Sequence, residues 1–199
     1  MKTFSIAAVA AAASTLAVAA PALAQVNYDE AVDGDTSNDG FNTTDLGTLA
    51  LGSNSITGSM GSDFDFDPDY FSFTIGAGQE LAAINLSFYE ANIPGDQASF
   101  IAIQAGNQVT SEFDTSVFLG ATLIGNPEIG TDILDDTVVT PLFGGQGATP
   151  PLGAGTYSIW WQETGHLVDY SFEFVVVPAP GAMTAMLGAG LIAARRRRA

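Results

Sequence analysis

Cysteine is absent from the 199 residues, which excludes disulfides, thiolate nucleophiles and zinc–thiolate sites. Export is often accompanied by disulfides but does not require them, because a domain of ordinary size buries enough surface to stand alone. Histidine occurs once, as His166. Basic residues are nearly missing: the five are Lys2, Arg195, Arg196, Arg197 and Arg198, and none lies between. No carboxylate in the intervening stretch has a lysine or arginine partner there. All 22 acidic residues fall between Asp29 and Glu173, so that stretch carries 0 − 22 = −22, against −17 for the whole chain. Such a field repels nucleic acid and anionic lipid and draws cations. Two readings of the acids stand: a solvated coat suited to a saline medium, or carboxylates that hold calcium.

The scarcity of chemistry-bearing residues also argues against catalysis. His166 pairs with Glu163 or Asp169 only on paper, and with 22 acids any two carboxylates can be nominated as a glycosidase pair. The expectation is a protein that is not an enzyme.

Both ends look like processing segments. Lys2 precedes an apolar, alanine-rich run over 4–20, and Ala22 and Ala24 supply the small residues of a signal-peptidase site before Gln25. Residues 1–24 are therefore expected to be a removable signal peptide, with signal peptidase as a partner. At the other end, Val177, Pro178 and Pro180 precede fourteen uncharged residues over 181–194, then the four arginines. As a helix the apolar run would reach about 21 Å, short of a hydrocarbon core of about 30 Å. It would insert transiently, with the arginines snorkelling on the cytoplasmic side.

The sequence VPAP (177–180), the apolar run GAMTAMLGAGLIAA (181–194) and RRRR (195–198) together resemble the PEP-CTERM sorting signal of bacteria, in a variant VPxP form with Ala179 where the commonest form has glutamate. That resemblance implies an exosortase-type sorting enzyme as partner, removal of the tail near the prolines, and residence in the cell envelope or in an extracellular, exopolysaccharide-rich matrix.

The stretch 25–177 reads as one domain. Short alternating or β-branched and aromatic runs are separated by glycine, asparagine, aspartate and serine turns, which predicts an all-β fold. Strands are expected over 70–75, 82–88, 99–104, 117–124, 156–161 and 168–177, with one or two short edge strands over 49–60. Phe88 is expected to share a face with Ile84 and Leu86. Residues 133–155, rich in glycine and proline, read as a long loop. Six to nine such strands fit two packed antiparallel sheets, a β-sandwich or jelly-roll, flanked by the signal peptide and the hydrophobic sorting helix. DPDYFSFTIGAGQEL (67–81), LGAGTYSIWW (152–161) and YSFEFVVV (170–177) resemble bacterial pre-peptidase C-terminal domains, which are secreted accessory β-sandwiches; the resemblance implies the same architecture here.

Candidate sites are few. Asp63, Asp65, Asp67 and Asp69 alternate, so an extended segment places their carboxylates on one face, where a calcium ion would relieve their repulsion. The apolar register shifts from even (Phe64, Phe66) to odd (Phe71, Phe73), which predicts a bend near Pro68 that folds Asp67 and Asp69 around one ion. Asp33, Asp35, Ser37 and Asp39 have the spacing of a calcium loop, but Asn38 and Thr44 stand where an EF-hand needs glycine and glutamate. Trp160 and Trp161 point to opposite faces of one strand; one is expected in the core and the other, with Tyr157 or Tyr170, would form a platform for a sugar ring. The function expected from these features is an exported structural protein of the cell surface or matrix, stabilised by calcium; the alternative is a carbohydrate-binding module that engages exopolysaccharide.

Overall fold

The computed structural model describes residues 25–61, 66–95 and 97–181. Among these residues nine strands and two short helices form two mixed sheets. In chain order they are β1 (Asn27–Asp29), α1 (Glu30–Asp33), β2 (Thr44–Thr48), β3 (Gly52–Gly61), β4 (Asp69–Ile75), β5 (Gln79–Ala91), β6 (Ala98–Ala105), β7 (Gly120–Gly125), α2 (Leu134–Val138), β8 (Gly155–Gln162) and β9 (Leu167–Pro178). The first sheet has the order β1-β3-β9-β5 and the second β2-β4-β8-β6-β7. The fold is all-β, as the alternating pattern predicts.

Alternation places the core. On β9, Val168, Tyr170, Phe172, Phe174 and Val176 are buried, while Asp169, Ser171 and Glu173 face away. On β4, Phe71, Phe73 and Ile75 meet them from the second sheet. Phe73 and Phe174 stand 5.0 Å apart between ring centroids, and Trp161 lies edge-on to Phe172 at 5.2 Å. Each such ring, once buried, contributes about 2–3 kcal/mol through apolar area removed from water.

A smaller apolar cluster lies on the outer side of the second sheet. Tyr70, Ala102, Phe118, Ala121 and Trp160 pack there beneath Val109. That is why β4 and β8 are buried on both faces rather than one.

Several expectations need correction. The sheets are not purely antiparallel: β1 pairs with β3 and β2 with β4 in parallel, because the N-terminal segment runs along the sheet margins in the direction of the strands it joins. Residues 49–60 do not form short edge strands but one ten-residue strand, β3, paired along its whole length with β9. The strand expected over 82–88 extends to thirteen residues, and its register with β9 shifts between Leu86 and Phe88. That bulge turns Phe88 outward and gives its inward place to Tyr89. The stretch 133–155 is not structureless: α2 lies within it, and Ile133, Leu134, Val138 and Leu152 are buried in the core. Residues 115–117 form a 3-10 turn, so the strand expected at 117 begins at Gly120.

Candidate metal centre

Asp69 opens β4, and its odd number puts it on the same inward face as Phe71, Phe73 and Ile75. A carboxylate at a core position must find partners or lose its charge. Asp69 is fully buried, and among the described residues neither of its oxygens has a hydrogen-bond partner. The groups that surround it are oxygens. Glu30 and Asp35 bring carboxylates so close that one oxygen from each of the three residues lies within 4.8 Å of the others. The buried hydroxyls of Thr36 and Tyr170 face Asp69 and ease its charge slightly, but neither makes a hydrogen bond of ordinary geometry.

Local sequence explains why these groups converge. Asp29 caps the single turn of α1, its side chain accepting from the Ala31 amide at 3.0 Å, and so sets the direction of Glu30. Glu30 then reaches across β3: its Oε2 accepts from the Ser59 amide at 2.7 Å and its Oε1 from the Thr36 amide at 3.1 Å. Gly58 makes room for this, because a Cβ there would collide with the Glu30 carboxylate. Tyr170 comes from β9, so the centre draws on both sheets and on the N-terminal segment at once.

Electrostatics follow the geometry. Burial, and then the charge of Glu30, push the Asp69 carboxyl up to about 8. Glu30 and Asp35 are also raised, in each case first by burial. The Tyr170 hydroxyl is driven well above its ordinary range by burial and by the Asp69 charge. Every group in the cluster is thus held in an environment that resists its own ionisation. A bound cation reverses this for the carboxylates.

The donor set consists of oxygens alone, which suits a hard divalent cation. Calcium–oxygen bonds of about 2.3–2.6 Å let oxygens that lie within 4.8 Å of one another share one ion. A surface cleft of about 500 Å³ leads to the cluster, and Asp29, Asp67 and Asp169 join Glu30 and Asp35 along its walls.

Of the residues predicted from sequence, Asp69 lies at the centre and Asp67 in the wall of the cleft beside it. Asp63 and Asp65 lie outside the described residues. Asp35, from the loop with calcium-like spacing, belongs to the centre, whereas Asp33 and Asp39 are spent on capping contacts with Asp29 and Phe41. Glu30, Thr36 and Tyr170 escaped sequence reasoning. Glu30 sits in no acidic repeat, and the alternation of β9 marks Tyr170 only as core.

Trp160 and Trp161 are both taken up by packing, at 6% and 0% exposure, so neither presents a face to a sugar. Trp161 lies between the sheets; Trp160 stacks on Tyr70 at 5.8 Å under the outer cluster. Tyr170 is buried as well. Val177 and Pro178 end β9, and the Ala179 amide donates to the Gly78 carbonyl at 2.8 Å just before Pro180. Ala22, Ala24, Arg195, Arg196, Arg197 and Arg198 lie outside the described residues. Among the described residues no helix is long and apolar enough to cross a membrane. Comparison with known proteins gives no match, whether to a family model, to a curated protein or to a solved structure.

Proposed function

We propose that the chain is an exported structural protein of the bacterial cell surface or extracellular matrix, with a calcium ion as an integral part of its fold. In this reading the domain is a β-sandwich of jelly-roll type. Signal peptidase removes residues 1–24, and an exosortase-type enzyme cuts near Pro178 and Pro180. The proline motif overlaps the end of β9, which closes at Pro178, so a cut there would leave the body of that strand with the domain.

One observation carries the calcium reading. Asp69 is a fully buried carboxylate without a hydrogen-bond partner among the described residues, set against two further carboxylates. The chain has no lysine or arginine between Lys2 and Arg195 to neutralise them. An extracellular medium with millimolar calcium supplies the counter-charge that the sequence omits. A structural role fits a site built into the frame of the fold, where Glu30, Asp69 and Tyr170 join three separate elements.

The test is calorimetric titration of the purified protein with calcium after chelation, with thermal unfolding at matched ionic strength. Stoichiometric binding that raises the unfolding temperature, and that Asp69→Asn abolishes, is the expected result. Weak, non-saturating uptake matched by magnesium would sink the reading and leave the acids as a solvated coat.

A further inference from the structure

The outer face of the second sheet is divided. Its upper half is sealed by the cluster around Trp160 and Phe118. The remainder is polar, with Ser72 and Ser158 buried at its base. Ser72 and Thr74 of β4 stand beside their cross-strand partners Ser158 and Thr156 of β8, all on the face opposite the core. Thr43 and Asp45 rise from the N-terminal side, and Asn107 and Gln108 from the loop after β6. Apart from Ser158, which is buried, these residues line a trough of about 450 Å³, with Phe41 on its rim at 58% exposure.

The walls are tied to each other. Gln108 Nε2 donates to the Phe41 carbonyl at 2.7 Å, and the Thr43 hydroxyl donates to the Asn107 carbonyl at 2.8 Å. The Val109 amide donates to the Gly40 carbonyl at 2.7 Å, and Gly40 admits this contact because any Cβ would press on Val109 and Tyr70. The trough is therefore shaped before a ligand arrives, which lowers the entropic cost of binding.

Its chemistry is selective. Hydroxyls and amides predominate, and they offer both donors and acceptors. Thr74 and Thr156 share one hydrogen bond at 2.9 Å and keep further capacity; the Asn107 amide makes no hydrogen bond among the described residues. Apolar ligands find no apolar floor. Phosphate, sulfate and uronate find no cation, and Asp45 repels them. A neutral polyol matches every feature: many paired donors and acceptors, no charge, and a C–H face for one exposed aromatic ring. We infer that this trough is a binding site for a neutral saccharide chain, with Phe41 stacking on one ring and Asn107, Gln108, Thr74 and Thr156 taking its hydroxyls.

The site is separate from the carboxylate cluster, so it stands whether or not that cluster holds calcium. The test is isothermal titration of the full-length protein, in calcium and again in chelator, with cellohexaose, mannohexaose and galactohexaose, and with an alginate hexamer as the acidic comparator. Saturable binding of a neutral hexasaccharide is expected, weakened about tenfold or more by Phe41→Ala and likewise by Asn107→Ala. Both side chains are exposed, so the thermal midpoint should hold in each variant. The inference is overturned if no neutral hexasaccharide binds saturably, if binding survives both substitutions, or if the alginate hexamer binds as well as the neutral ones.

Discussion

Asp69 on β4 and Tyr170 on β9 face each other across the two sheets, both fully buried, and among the described residues neither the carboxylate oxygens nor the phenol oxygen has a hydrogen-bond partner. An acid and a phenol so placed put oxygens into an otherwise apolar core, and Glu30 and Asp35 add theirs from the N-terminal segment. The calcium reading predicts behaviour that changes sign with the ion.

Asp69→Asn keeps the shape of the side chain and removes its charge. In chelator at pH 8 the variant should be more stable than the parent by roughly 1–3 kcal/mol, because an uncompensated buried charge has gone. In millimolar calcium the order should reverse, because the parent alone gains binding energy. Urea unfolding with and without chelator measures both differences. A variant less stable than the parent in both media would contradict the account.

The ion-free protein should lose stability as pH rises. Asp69 sits near 3.8 when unfolded and near 8 when folded, faced by Glu30, Asp35, Asp67 and Tyr170. Between those values the native state holds a proton that the unfolded chain has released. The stabilisation is complete below the unfolded pKa and is lost as pH climbs through the folded one. Glu30 and Asp35, also raised, act in the same direction. The loss between pH 4 and pH 8 should be on the order of a few kcal/mol. Calcium should flatten or invert the slope, since ionised carboxylates are its ligands. Unfolding temperatures across this range, in chelator and in calcium, test the sign.

Gly58→Ala should weaken calcium binding without touching a ligand. The new Cβ meets the Glu30 carboxylate, which must move away from the Ser59 amide and from the centre. Affinity should fall about tenfold or more, equivalent to about 1.4 kcal/mol. Calorimetry on this variant beside Glu30→Gln should show losses of the same sign. Unaltered affinity in Gly58→Ala would remove Glu30 from the centre.

Trp161→Ala should cost about 3–5 kcal/mol, since the ring fills the space between Tyr89, Tyr170 and Phe172. Trp160→Ala should also destabilise, because Tyr70, Phe100 and Phe118 all pack on that ring. Denaturant unfolding followed by circular dichroism measures both. A tryptophan variant of unchanged stability would mean that its ring is dispensable to packing and free for another role.

One member of the carboxylate centre, Asp69, is legible in the chain. The parity of Phe71, Phe73 and Ile75 marks an inward face, and Asp69 shares that parity, so the alternation alone puts a carboxylate at a core position. The alternating acids draw attention to Asp67 and Asp69, of which Asp69 lies in the centre and Asp67 in the cleft wall. The pattern of β9 announces its buried face residue by residue. The tryptophan pair misleads for a reason that alternation cannot see. A strand with opposite faces implies one wet side only if nothing covers it, and the loop carrying Val109 and Phe118 covers Trp160.

The sequence by itself determined the charge of the domain, the absence of any cation to balance it, the all-β periodicity, and the processing-like ends. These are properties of composition and short-range order, which each segment carries alone. Only the tertiary structure decided that Glu30 and Asp35 close on Asp69, that Phe88 turns outward at a bulge while Tyr89 turns in, and that Thr43, Thr74, Asn107 and Thr156 share one trough. Those outcomes depend on the pairing of distant strands and on which loop seals which face, and packing energies acting over the whole chain choose between arrangements that local propensity leaves equal.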